Sequence, residues 1–130
     1  MVSYRTPLGR ARGLGSAKHG AGHWISERVS AIALVPLIVW AVCGVLRLAA
    51  GDYGFAVHWI KDPLNATLTA LTLAISFWHM QAGVRVIVED YIHKALTKSG
   101  LLILNLFVCG LFGALAIFSI LKVALSGGAF

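Results

Sequence analysis

Three apolar stretches, each about as long as a bilayer is thick, fix what this chain can become. They cover residues 29–50, 64–88 and 101–125. About 20 residues at a rise of 1.5 Å cross roughly 30 Å of hydrocarbon. Backbone polar groups in lipid must be satisfied internally, and runs this long and this apolar read as helices rather than barrel strands. The connections, residues 51–63 and 89–100, are short, so neighbouring helices run antiparallel. The expected fold is an all-α membrane protein, three transmembrane helices in an up-down-up bundle. Pro36 lies inside the first run, where membrane helices tolerate proline. Asp62-Pro63 is expected to start the second helix, with proline at its first position.

Composition agrees. The chain has 130 residues, 58% hydrophobic and 12% charged, against about 25% charged in a soluble domain. Its mean hydropathy is +0.83. That excludes most soluble enzymes, nucleic-acid readers and disordered proteins. A net charge of +6 suggests nucleic acid on a soluble chain. Here the basic residues flank the apolar runs, so the expected partner is membrane lipid and not nucleic acid. Arg5, Arg10, Arg12, Lys18, Arg28, Arg85, Lys94 and Lys98 fall on one side, and Arg47, Lys61 and Lys122 on the other. The positive-inside rule then puts the N-terminus in the cytoplasm. Residues 1–24 read as a basic, glycine-rich cytoplasmic tail and residues 25–130 as the membrane domain. The tail has neither an apolar core nor an A-x-A site, so it is not expected to be a cleaved signal peptide. Cys43 and Cys109 fall in apolar runs, which predicts two buried thiols and no disulfide.

Polar groups at depth mark either packing or function. In the second run, Thr67, Thr69, Thr72 and Ser76 are expected to bond back to their own helix. His79 is harder to absorb. At 100° per residue it shares a face with Thr72, Gly83, Val86 and Asp90. That face is polar or small at nearly every turn, and Gly83 leaves room for something flat beside the imidazole. Three readings stay open for His79: structural hydrogen-bonder, proton relay, or metal or haem ligand. If it binds haem, the second ligand must come from another chain, because Met80 points about 100° away. Asp90 lies on the same face roughly 16 Å further along, with Tyr91 one step round. A phenol backed by a carboxylate can hydrogen-bond and protonate a ligand carbonyl, although a tyrosine here is also ordinary interfacial chemistry. Arg28, at the start of the first run, is either a phosphate anchor or a group reaching inward to a bound anion. His19 and His23 are spaced by four in a glycine-rich segment that predicts no helix, so they make a poor metal pair. His58 and His93 read as solvated. Ser30 and Asn105 read as structural.

The segments Gly15-Ser-Ala-Lys-His-Gly-Ala-Gly-His-Trp24 and Glu27-Arg-Val-Ser-Ala-Ile-Ala-Leu34, together with His79-Met-Gln-Ala-Gly83 and Glu89-Asp90-Tyr91, resemble a known family. It is the D-type hydrophobic membrane anchor subunit of succinate dehydrogenase (respiratory complex II), in its alphaproteobacterial form. The strongest element is a second-span histidine followed eleven and twelve residues later by Asp-Tyr. The resemblance implies that His79 is an axial ligand of a haem b shared with a C-type anchor subunit, which supplies the other ligand. It implies that Tyr91 hydrogen-bonds a ubiquinone carbonyl, with Asp90 as its acidic neighbour. Arg28 matches an arginine near the haem propionates and the quinone pocket. The implied partners are the C-type anchor, an iron–sulfur subunit and a flavoprotein, in the inner membrane of a bacterium. Succinate oxidation, the step joining the tricarboxylic acid cycle to the respiratory chain, would occur in the partner subunits. The competing readings are a non-redox membrane or assembly subunit with a structural His79, and a transporter subunit relaying protons through His79 and Asp90.

Overall fold

The computed structural model describes Tyr4, residues 6–13 and residues 20–126. Arg5, Lys18 and His19 lie outside the described residues. Five helices follow in order: α1 (Pro7–Ala11), α2 (Gly20–Ala49), α3 (Tyr53–Lys61), α4 (Pro63–Tyr91) and α5 (Ala95–Leu125), with no strand among the described residues. Three of them, over Ala21–Ala49, Pro63–Tyr91 and Ala95–Leu125, are long and apolar enough to cross a membrane. The all-α, three-span fold is the one read from the sequence.

The element ends differ from expectation, each for a local reason. Helix α2 begins at Gly20, inside the segment read as an unstructured tail. Once an apolar run has nucleated a helix, propagation past it is cheap, and glycine is tolerated at its first turn. His23 therefore sits on a helix after all. The short α1 also falls in the tail. The first connection holds α3. Asp52 starts it by accepting a hydrogen bond from the Phe55 amide at 2.7 Å, and Asp62 starts α4 by accepting from the Asn65 amide at 3.0 Å. Pro63 occupies the first turn, as expected. The second connection shrinks to residues 92–94. There Lys98 Nζ donates to the Glu89 carbonyl at 2.8 Å, satisfying one of the acceptors that a helix end leaves free.

Helix α4 is the middle of the assembly. It packs on α5 along one side and on α2 along the other, while α3 touches α4 and α5. It is also the least apolar span, with a mean hydropathy of 1.3 against 2.5 and 2.6 for the other two. Its threonines satisfy themselves: Thr67, Thr69 and Thr72 each donate to the carbonyl four residues back at 2.7 Å. The buried side chains are small or polar, namely Ser30, Ala66, Thr72, Ala82, Val88, Asn105 and Cys109. That is how membrane helices pack, since lipid is as apolar as leucine and contributes no drive to bury it. Asn105 Nδ2 donates to the Gln81 carbonyl at 2.9 Å and Cys109 Sγ donates to Asn105 Oδ1 at 3.3 Å, joining α5 to α4. A Cβ on Gly113 would stand 3.2 Å from Phe77, and one on Gly44 would stand 3.1 Å from Trp59. Trp59 stacks on Trp40 with ring centroids 5.5 Å apart, which holds α3 to α2. Both cysteines are free. Cys109 is buried as expected, but Cys43 is exposed because α2 turns that face away from the other helices.

Candidate functional site

Two serines four residues apart on α2 meet two neighbouring residues on α4. Trp78 Nε1 donates to Ser26 Oγ at 3.4 Å, and Ser30 Oγ lies 3.0 Å from His79 Nδ1. Ser30 Oγ also donates to the Glu27 carbonyl at 2.9 Å. The imidazole is half-buried, and its Nε2 has no hydrogen-bond partner among the described residues. Gly83, one turn along, is open, since a Cβ there would find nothing within 4 Å. The position one turn from His79 is therefore open, and none of the described residues fills it. Among the described residues no group of three or more His, Cys, Asp and Glu could hold a metal ion. A metal at His79 would take its remaining ligands from outside the described residues. The contact with Ser30 also sets depth. It places His79 level with the start of the apolar run of α2, nearer the N-terminal side of the bundle than its centre.

Tyr91 is the last residue of α4 and is 76% exposed. With Ile92, His93, Lys94 and Thr97 it lines a depression of about 320 Å³ at the turn into α5. Asp90 is exposed beside it, on the His79 face of the helix. Arg85 and Glu89 form an exposed ion pair at 2.8 Å, of a kind that contributes little to stability. Arg28 is not brought to the imidazole. It lies about 200° round α2 from Ser30, and its guanidinium sits 5.6 Å from the centroid of the Trp24 ring.

The structure thus joins His79 to α2 and places Tyr91 and Asp90 together at one end of α4. Arg28 stands near the His79 level but faces away. Ser30, expected to be structural, is buried at 7% exposure and touches the histidine; its four-residue repeat with Ser26, across Glu27 and Arg28, does not single it out in the sequence. His93 is exposed, as expected, and lines the same depression as Tyr91. An apolar groove of about 430 Å³ between α4 and α5, lined by Trp78, Gln81, Cys109, Gly110 and Gly113 among others, lies on another side of α4 from His79.

Residues 2–126 match the family described as succinate dehydrogenase/fumarate reductase transmembrane subunit. The chain is 32% identical to the succinate dehydrogenase hydrophobic membrane anchor subunit of Rickettsia conorii over 110 residues, covering 84% of this chain and 87% of the relative. It is 33% identical to the corresponding subunit of Rickettsia felis over 90 residues, 68% of this chain and 74% of that one. It is 29% identical to that of Paracoccus denitrificans over 106 residues, 82% of each.

Proposed function

Because the chain belongs to the succinate dehydrogenase/fumarate reductase transmembrane-subunit family, we propose that it anchors a succinate:quinone oxidoreductase in the bacterial inner membrane and supplies part of its haem b and ubiquinone sites. The observation that carries the redox reading is His79, an imidazole inside an apolar span with Nδ1 held by Ser30, Nε2 without a partner among the described residues, and an open glycine one turn along. A histidine in that setting fits the demands of an axial ligand: one nitrogen anchored, the other unengaged. The haem b would rest between His79 and a histidine of a C-type anchor subunit. When bound, it would supply a one-electron store.

Quinone reduction takes two electrons and two protons. The electrons would arrive from an iron–sulfur subunit, itself fed by a flavoprotein that oxidises succinate. The Tyr91 hydroxyl donates to one quinone carbonyl and stabilises the negative charge that develops on its oxygen. Asp90 stands next to it, exposed to solvent, and carries protons in from the aqueous side. Arg28, which faces away from His79 over the Trp24 ring, holds a lipid phosphate at the same side of the membrane rather than a propionate of a haem at His79. The N-terminus faces the cytoplasm, as the basic residues require.

The test is a reduced-minus-oxidised spectrum of the purified membrane complex. A b-type band is expected, and His79→Ala should abolish or shift it. An unchanged spectrum in that variant would sink the ligation.

A further inference from the structure

Ser30 answers a question that haem ligation raises but does not settle: which tautomer His79 adopts, and what holds it there. A serine hydroxyl has one hydrogen to give, and a carbonyl oxygen only accepts. Ser30 Oγ contacts both the Glu27 carbonyl, at 2.9 Å, and His79 Nδ1, at 3.0 Å. If Nδ1 were the unprotonated nitrogen, two acceptors would compete for one hydrogen and one contact would be empty. If Nδ1 carries the proton, every group is used: Nδ1–H donates to Oγ, and Oγ–H donates to the Glu27 carbonyl. Ser30 is 7% exposed, so there is little water to take over the unmet contact, and leaving it empty is costly in a site this dry.

We propose that Ser30 is the positioning residue for His79, fixing its Nδ1–H tautomer and presenting the Nε2 lone pair as the donor to haem iron. The proposal rests on the haem ligation above. It goes further in assigning the second partner of the imidazole to this same chain, on a different helix. Two consequences follow. The relay Nδ1–H to Oγ–H to carbonyl is polarised in one direction, which raises electron density on Nε2 and favours the more positive, oxidised iron. The ring is also tied to α2 as well as to its own helix, and Trp78 is tied to the same face one turn away through Ser26. The orientation of the ligand thus depends on how α2 seats against α4.

The experiment compares Ser30→Thr with Ser30→Val in the intact purified complex. The two replacements have nearly the same shape and differ by the hydroxyl. The readouts are the haem midpoint potential and the low-spin electron paramagnetic resonance of the oxidised haem, neither of which needs turnover. Ser30→Thr should keep both close to the unaltered complex. Ser30→Val should move the midpoint positive, changing the reduced-to-oxidised ratio at fixed potential severalfold (tenfold is about 59 mV for one electron), and should alter the resonance. Loss of haem in the valine variant alone has the same meaning. Equal behaviour of the two variants, whether both keep haem unchanged or both lose it, overturns the role of Ser30. Failure of the underlying ligation looks different: a complex without b-type haem, or one in which His79→Ala leaves the haem in place.

Discussion

At the scale of single residues, the proposed function assigns separable parts to Tyr91 and His79. Tyr91 lies at the aqueous end of α4, exposed and beside a depression, so its hydroxyl can be removed without disturbing packing. Tyr91→Phe should lower succinate-driven quinone reduction by on the order of 10²-fold, the scale of one lost donor to a developing oxyanion. Succinate oxidation with an artificial acceptor at the flavin should survive. If both activities fall together, the residue acts in assembly instead. His79 stands out in the sequence because an imidazole in an apolar span needs a reason, and helical spacing puts Asp90 on its face with Tyr91 one step round. Ser30 does not stand out, because serine bonding back to its own helix is the ordinary outcome and nothing in a single sequence says which serine meets a partner. Arg28 was legible as a charge, but its direction depends on the Trp24 ring beneath it.

At the scale of helices, polar contacts and missing side chains do the joining. Asn105→Leu removes the donor to Gln81 and the acceptor from Cys109. It should destabilise the α4–α5 pair by about 0.6–1.7 kcal/mol, the range for interhelical hydrogen bonds in membranes, read as a lowered unfolding midpoint of the complex in detergent. Gly113→Leu should be worse, since even a Cβ meets Phe77 at 3.2 Å; loss of assembled complex on a native gel is the expected result. The spans themselves were plain from hydropathy. The helix ends were not. Asp52 and Asp62 act as caps through the amides of Phe55 and Asn65; the Asp62 start was readable because proline follows it. Asp52 has no such marker, and α3 was missed.

At the scale of the whole molecule, surface area is the telling quantity. The chain exposes 9955 Å², where a compact soluble monomer of 13.9 kDa would expose about 6,700 Å². Only 11–17% of the residues in the most apolar stretch of each span are buried, so most of the apolar helix surface is left for lipid and other subunits to cover. Orientation belongs to this scale too. A fluorescent reporter fused to the N-terminus should light up in the cytoplasm, and alkaline phosphatase fused to the C-terminus should be active outside it; the reverse pattern would overturn the assignment by basic residues. The order of the helices has one more consequence, for biogenesis. The span that bears the histidine is the one the bilayer itself holds least firmly, since its partition into lipid is the weakest of the three. Its neighbours on both sides are strong inserters, and only three residues separate it from the one that follows. During synthesis α4 is therefore expected to enter the membrane as one arm of a hairpin with α5, alongside the earlier α2. The helix that carries His79 is thus the one most dependent on its neighbours, and a chain truncated before α5 should lose it to the aqueous side.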